Sequence, residues 1–214
     1  MSGLRVESMV LGLVETNTYL LMDEETGALA VIDPAARAED IARKADEMNG
    51  KPCMILLTHG HFDHIGAVDA LRRAWNVPCL CLDAEASLLE DPGLNASALF
   101  GCPTKTSADR LLKDGEEILL GSHPVRVIAT PGHTVGGCCY YLPEDGLLFC
   151  GDTLFDGSVG RTDLPTGDMS ALMKSIRERL AVLPDETGVF PGHGDATDIG
   201  EQKSVNPYLS MGDL

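Results

Sequence analysis

Basic residues are scarce in this chain: 16 Lys and Arg stand against 33 Asp and Glu, a formal charge of −17. Phosphate recognition needs clustered cations, so this balance argues against nucleic acid or an anionic membrane as a partner. Aromatic residues are also few, 5% of the chain with a single Trp, so the core has to be built mainly from aliphatic side chains. No apolar run approaches the roughly 20 residues of a membrane-spanning helix. Met1 to Glu7 lacks a basic segment followed by an apolar stretch and a cleavage site, so no secretory signal is read there. The seven Cys form an odd set without a regular framework, which fits free thiols in a reducing compartment. Cys79, Cys81, Cys138 and Cys139 sit in apolar runs and read as small buried hydrophobes. A cytoplasmic protein folded as a single domain over residues 1–214 is the expectation.

What is present is an alternation of strand and helix signals in two similar halves. The first 33 residues read as strands, with a hairpin turn at Asp23-Glu24-Glu25-Thr26-Gly27 between Thr18–Met22 and Ala28–Ile32. Ala38–Met48 reads as a helix with Ile41, Ala45 and Met48 on one face and Gly50 as its stop. Cys53–Leu57 reads as a buried strand, and Ile65, Val68, Leu71 and Trp75 are spaced for a second helical face. Val77–Leu82 is a further strand, with Asp83 placed to cap a helix beyond it. Asp91–Thr106 reads as loop. Strand signals return at Glu117–Leu120, Val125–Ala129, Gly137–Leu142 and Leu147–Cys150. A long loop follows over 152–167, then a helix from about Asp168 to Leu183 and a short strand Gly188–Phe190. Strands come in runs without strict alternation with helices. That predicts an α+β fold of two mostly antiparallel sheets with helices outside.

The chemistry concentrates in Thr58-His59-Gly60-His61-Phe62-Asp63-His64, after a buried strand and before a helix. In extended chain, residues two apart share a face, so His59 and His61 can address one cation. Asp63 and His64, at the turn into the helix, can face a second. Imidazole and carboxylate suit zinc first, and also iron or manganese. His133 in Pro131-Gly132-His133-Thr134, Asp152 in Cys150-Gly151-Asp152-Thr153 and His193 in Pro191-Gly192-His193-Gly194 each stand at the tip of an apolar run, where functional groups sit on a rigid scaffold. His123, in Gly121-Ser122-His123-Pro124, reads as an exposed turn residue rather than a ligand. Asp33 ends an apolar strand and is a candidate to hold a ligand loop from behind, or simply to cap before Pro34.

The motif H-x-H-x-D-H at 59–64, followed in order by His133, Asp152 and His193, resembles the metallo-β-lactamase fold superfamily over nearly the whole chain. The resemblance implies an αββα sandwich with two divalent metals at one edge. It assigns His59, His61 and His133 to one metal, Asp63, His64 and His193 to the other, and Asp152 as the bridge. A shared water of lowered pKa would then attack a carbonyl polarised by one cation, with Asp63 also orienting the nucleophile.

Lactamases of this fold that use Cys as a ligand would carry it where Asp152 stands, and flavin-linked reductases carry Glu in place of His61. The segment Gly151-Asp152-Thr153-Leu154-Phe155 to Gly160-Arg161-Thr162-Asp163 is similar to that of short glyoxalase II-like hydrolases and their persulfide dioxygenase relatives. The resemblance implies hydrolysis of a small thioester derived from glutathione, S-D-lactoylglutathione, to D-lactate and glutathione. Only about 20 residues follow His193, whereas full-length glyoxalase II adds a helical region that helps hold glutathione. A persulfide dioxygenase with one iron on His59, His133 and Asp152 is the alternative enzyme, and a non-catalytic metal-binding protein a further one. Arg161 is placed either to contact a substrate carboxylate or to hold its loop through Asp163. Phe155 and Tyr19 are candidates for the pocket wall or for the core. Asn206-Pro207-Tyr208-Leu209, in the tail Glu201–Leu214, can pack back on the domain.

Overall fold

The computed structural model describes residues 3–210; Met1 and Ser2 of the amino-terminal segment and 211–214 of the tail lie outside the described residues. One sheet orders its strands β1 (Leu4–Leu11), β2 (Thr16–Asp23), β3 (Ala28–Ile32), β4 (Lys51–Leu56), β5 (Cys79–Leu82) and β6 (Arg110–Leu112). The other is built from β7 (Glu117–Leu120), β8 (His123–Ala129), β9 (Cys138–Leu142), β10 (Leu147–Gly151), β13 (Gly188–Pro191) and β14 (Thr197–Asp198), in the order β14-β13-β10-β9-β8-β7. A small hairpin, β11 (Leu154–Phe155) with β12 (Ser158–Val159), interrupts the segment expected to be loop.

Three apolar clusters define four layers. Ile41 and Ala45 of α1 (Ala38–Glu47) and Val68 and Leu71 of α3 (Val68–Trp75) pack on Leu20, Leu29, Val31 and Ile55 of the first sheet. Leu21, Ala30, Ile32 and Leu56 point the other way and meet Val125, Val127, Tyr140 and Phe149 of the second sheet. On that sheet's outer face Ile128, Tyr141 and Leu148 meet Leu172 of α5 (Met169–Ser175) and Ile176, Leu180 and Ile199. Neighbouring residues such as Leu20 and Leu21, Val127 and Ile128, or Tyr140 and Tyr141 therefore serve opposite cores, as the two-residue period of a strand requires. All eight residues of β2 are buried because both faces of its sheet are covered. Each fully buried Leu here is worth about 1.5–3 kcal/mol of transfer from water. The α+β sandwich flanked by helices is the expected fold.

Several local readings need correction. The second sheet is antiparallel except at β10–β13, but the first turns parallel from β3 onward, through β3–β4, β4–β5 and β5–β6. The helices between those strands supply the crossovers that parallel pairing needs. The helix α1 stops at Glu47, and the chain reverses at Asn49 with φ 56° rather than at Gly50. Asp83 does not cap: it opens a short 3-10 turn, Asp83–Glu85, that leads into α4 (Ala86–Glu90). Asp168 does cap, its carboxylate accepting from the Ala171 amide at 3.0 Å. Beyond α5 the backbone widens over Ile176–Leu180, and Ala181 N–H donates to the Ile176 carbonyl. In the tail, α6 (Ile199–Val205) and α7 (Pro207–Ser210) pack back as expected: the buried Asn206 amide donates to the Ser158 carbonyl at 3.0 Å. His123 is not exposed. It begins β8, is 7% accessible, and its Nδ1 lies 2.9 Å from Asp145.

Candidate metal centre

The strands β8 and β10 run in the same direction, both antiparallel to β9, and β13 runs parallel to β10. Their carboxyl ends share one edge of the second sheet, and His133, Asp152 and His193 follow these three ends. The segment 59–64 leaves the end of β4 in the other sheet and enters the short helix α2 (Phe62–Ile65). Cross-links between the sheets fix that edge. The Cys138 amide donates to the Thr58 carbonyl at 2.8 Å, and the Asn17 amide to the Gly192 carbonyl at 2.7 Å.

The sequence-predicted residues fall into two triads. Donor atoms of His59, His61 and His133 lie within 4.8 Å of one another, and so do those of Asp63, His64 and His193. Asp152 sits between them. Its Oδ1 is 3.5 Å from His64 Nε2, and its Oδ2 is 3.5 Å from both His133 Nε2 and His193 Nε2. His193 Nε2 lies 3.3 Å from Asp63 Oδ2. Gly192 has to be glycine, because a Cβ there would stand 2.2 Å from Asp152 Oδ1 and 2.7 Å from His64 Cε1.

The rings are oriented from behind. Asp33, itself at φ 48°, accepts the Thr58 amide at 2.8 Å on Oδ1 and the Thr58 hydroxyl at 2.6 Å on Oδ2. That hydroxyl, its proton committed to Asp33, accepts from His59 Nδ1 at 3.1 Å, and His64 Nδ1 donates to Asp33 Oδ2 at 3.0 Å. His133 Nδ1 donates to the Arg161 carbonyl at 2.7 Å. Three imidazoles thus carry their proton on Nδ1 and turn Nε2 toward the centre, the arrangement by which an outer partner sets a ligand's tautomer. Asp33 therefore holds the ligand loop and is not merely a cap. The Thr16 hydroxyl adds a bond of 3.0 Å to Asp63 Oδ2.

His59 Nε2, His64 Nε2 and Asp152 Oδ1 are buried and have no hydrogen-bond partner. Native interiors rarely leave such atoms unsatisfied. Several converging orphans on N and O donors are what a divalent cation would satisfy, so these residues fit one. Burial drives His59 well below the usual imidazole range, His61 down to about 3, and His133 lower too, giving the neutral form that ligates. Burial works against charge on His64 as well, but Asp63, Asp152 and Asp33 together hold it up at about 10. His193 is raised in the same way: burial opposes, while its hydrogen bond to Asp63 and the charge of Asp152 prevail. Asp63 is held below the ordinary carboxylate range against its own burial, chiefly by His64 and His193. Protons on the second triad thus balance carboxylates that a cation would otherwise balance.

Above the donors opens a cleft of about 460 Å³, lined by His61, Asp63, His133, Asp152 and His193 at its floor. Arg161 reaches its wall, but Nε and Nη2 donate to the two Asp163 oxygens at 2.7 Å each. Phe155 lines the cleft, whereas Tyr19 is core: its hydroxyl donates to the Pro191 carbonyl at 2.6 Å. A larger groove of about 650 Å³ beside α3, lined by Asp69, Arg72, Arg73 and Asp109, is remote in composition from this chemistry, and its Arg72 is engaged by Asp109.

Sequence reading missed Glu85. It is fully buried, and its two oxygens accept the Gly60 and Gly136 amides at 2.8 Å each. It thereby ties the loop of His59 and His61 to the loop of His133. Asn17 was also missed; its amide donates to the Pro191 and Gly194 carbonyls at 3.0 and 2.9 Å and straps down the turn that carries His193.

The metallo-beta-lactamase superfamily matches residues 11–193. The chain belongs to that superfamily. A probable metallo-hydrolase of Bacillus subtilis, YqgX, is 36% identical over 204 residues, covering 94% of this chain and 96% of that protein. The hydroxyacylglutathione hydrolase GloC of Haemophilus influenzae is 33% identical, covering 97% of this chain and 99% of its own. Among solved structures, the B3 metallo-beta-lactamase BLEG-1 superposes with a TM-score of 0.92 at 39% identity, over 97% of this chain and 100% of that one. TTHA1623 in a di-iron-bound form gives 0.86 at 38% identity, over 95% and 100%. ETHE1 from Myxococcus xanthus gives 0.81 at 31% identity, over 95% and 83%. Fold and donor set together imply divalent metals at this site.

Proposed function

We propose that this superfamily member is a two-metal hydrolase of thioesters, and the family resemblance nominates S-D-lactoylglutathione, cleaved to D-lactate and glutathione, as the thioester to assay first. The observation that carries the reading is the pair of triads sharing Asp152 at the floor of one cleft, with orphaned nitrogen and oxygen donors turned inward. His59, His61 and His133 would hold one cation, Asp63, His64 and His193 the other, and Asp152 both. Two such cations lower the pKa of water and stabilise charge developing on a carbonyl oxygen.

The residues do the rest. Asp63 stands where it can orient a water, its Oδ2 already receiving the Thr16 hydroxyl. Asp33 keeps His59 and His64 in the tautomer that ligates, and Arg161 keeps His133 in place through its carbonyl. In the net reaction water oxygen adds to the acyl carbon and the C–S bond breaks. The electron pair leaves on sulfur, and a proton of the water ends on the thiolate.

Zinc is the first metal assigned, because N/O donors in two groups suit it; iron and manganese share that chemistry. The likeness to a di-iron-bound structure supports iron as the second choice. The likeness to ETHE1 from Myxococcus xanthus supports the other reading, a one-iron persulfide dioxygenase on His59, His133 and Asp152. The partner in either case is a small molecule, and neither nucleic acid nor membrane is needed. Among the described residues no helix is long and apolar enough to cross a membrane. We place the protein in the cytoplasm, where its seven free cysteines stay reduced.

The test is metal content of the purified chain together with loss of thioester absorbance on S-D-lactoylglutathione. Two metals per chain with metal-dependent hydrolysis are expected. One iron per chain, no hydrolysis, and oxygen uptake with glutathione persulfide would replace the hydrolase by the dioxygenase.

A further inference from the structure

The floor of the cleft is spoken for by five of the seven candidate donors, but its walls are made of a different kind of residue. Val14, Phe62, Phe100, Phe155 and Leu164 line it. Phe62 follows the candidate ligand His61 directly and opens α2, and its ring lies 4.7 Å from that of Phe100 in a tilted stack of 32°. An aromatic surface therefore begins at the metal donors and continues outward.

That surface is open to solvent. Phe100 is 56% accessible and Val14 42%, and beside them in the chain Leu99 is 68% and Leu13 fully exposed. Scattered apolar residues on a surface need no explanation. A group of them on two segments that meet at one cleft mouth marks a place that binds apolar matter.

The electrostatics disfavour the obvious competitor. A glutathione arm brings two carboxylates and one ammonium. Arg161 is the one Lys or Arg on the described wall, and its Nε and Nη2 already donate to Asp163, which offsets its charge. Away from the donor cluster, where bound cations would add positive charge, the formal charge of −17 repels further anions. Seating carboxylates against Phe and Val without a cation is unfavourable, since charge leaves water uncompensated.

We infer, on the thioester-hydrolase reading, that the larger arm of the substrate is an uncharged aromatic or branched aliphatic group seated against Phe62 and Phe100, and that glutathione thioesters are accepted less well. The scissile bond lies over the metal donors and the arm runs along the aromatic wall.

Two thioethers that cannot be hydrolysed provide the first test. Each carries a 2-hydroxypropyl group on sulfur, one with glutathione and one with benzyl mercaptan as the thiol. Calorimetric titration into the metal-loaded full chain is expected to show the benzyl compound binding at least about tenfold more tightly. Equal or tighter binding of the glutathione compound overturns the inference. Phe100→Ser, at an exposed position, is expected to shrink the benzyl-to-glutathione affinity ratio toward one, and an unchanged ratio overturns the aromatic seat.

The D-lactoyl thioesters of the same two thiols provide the second test. The benzyl thioester is expected to show the higher kcat/KM after correction for its uncatalysed rate, and the reverse order overturns the inference. Tight binding of the benzyl thioether with hydrolysis of neither thioester would remove the thioesterase reaction and leave the apolar seat standing, so the two claims fail separately.

Discussion

One carboxylate, Asp33, serves two histidines of the same loop: Oδ2 is 3.0 Å from His64 Nδ1 and takes the Thr58 hydroxyl on which His59 Nδ1 leans. The two rings belong to different triads, so a single residue 26 positions upstream of His59 governs both. Asp33→Ala frees each imidazole to flip or to change tautomer. A fall of about 10–100-fold in affinity for both metals is expected, read by chelator competition. Weakening at one site alone would show that the two rings are held independently.

Asp152→Ala removes the group facing both triads. Metal content and hydrolysis are expected to collapse together, by about two orders of magnitude or more in rate. Elemental analysis showing two metals still bound would remove Asp152 from the bridging position.

Glu85 gives a pH signature. Burial raises its carboxyl from an ordinary value of 4.5 to about 6, against the pull of the Gly60 amide. A folded-state value above the unfolded one means that its contribution is fully present below pH 4.5 and is lost as pH rises through 6. Urea midpoints of the metal-stripped chain should therefore lose on the order of 2 kcal/mol across that window relative to Glu85→Gln, which has no charge to lose. Parallel pH profiles for the two proteins would mean that Glu85 stays ionised throughout.

His123 illustrates a ligand-like residue with a structural task. It is buried, 2.9 Å from Asp145 and 3.9 Å from Asp23. His123→Ala should cost about 1–3 kcal/mol of stability through the polar partners it abandons, while metal content stays at the wild-type level. Loss of one metal with an unchanged Tm would reverse that assignment.

Arg161 is paired with Asp163, and its carbonyl accepts the His133 Nδ1 proton. Arg161→Ala keeps that carbonyl, so KM for S-D-lactoylglutathione is expected to change less than about threefold. A tenfold rise in KM with kcat unchanged would put the guanidinium on the substrate.

The candidate donors that the structure brings together stood out because each is a polar residue at the end of an apolar run, and three of the chain's six His lie within six residues. Their pairing into triads was readable through the family resemblance. Glu85 was not, since its role is set by two glycine amides, 25 and 51 residues away, that leave no side-chain signal. His123 misled because Gly121 and Pro124 look like a turn, whereas the burial comes from Asp23 and Asp145 in distant hairpins. Direction of pairing also escaped: Ala28–Ile32 and Cys53–Leu57 read as equally good strands whether parallel or antiparallel, and only the crossover through α1 makes the observed pair parallel.

The strap from Asn17 and Tyr19 to the turn around His193 joins the second strand of the chain to the last segment of the candidate site. A nascent polypeptide that has not yet delivered residues 191–194 holds only six of the seven donors and leaves the Asn17 amide without its two carbonyls. Completion of the second triad therefore waits until nearly the whole chain has been made. A copy cut before residue 191 would lose a candidate donor and the anchor of its second strand in one stroke.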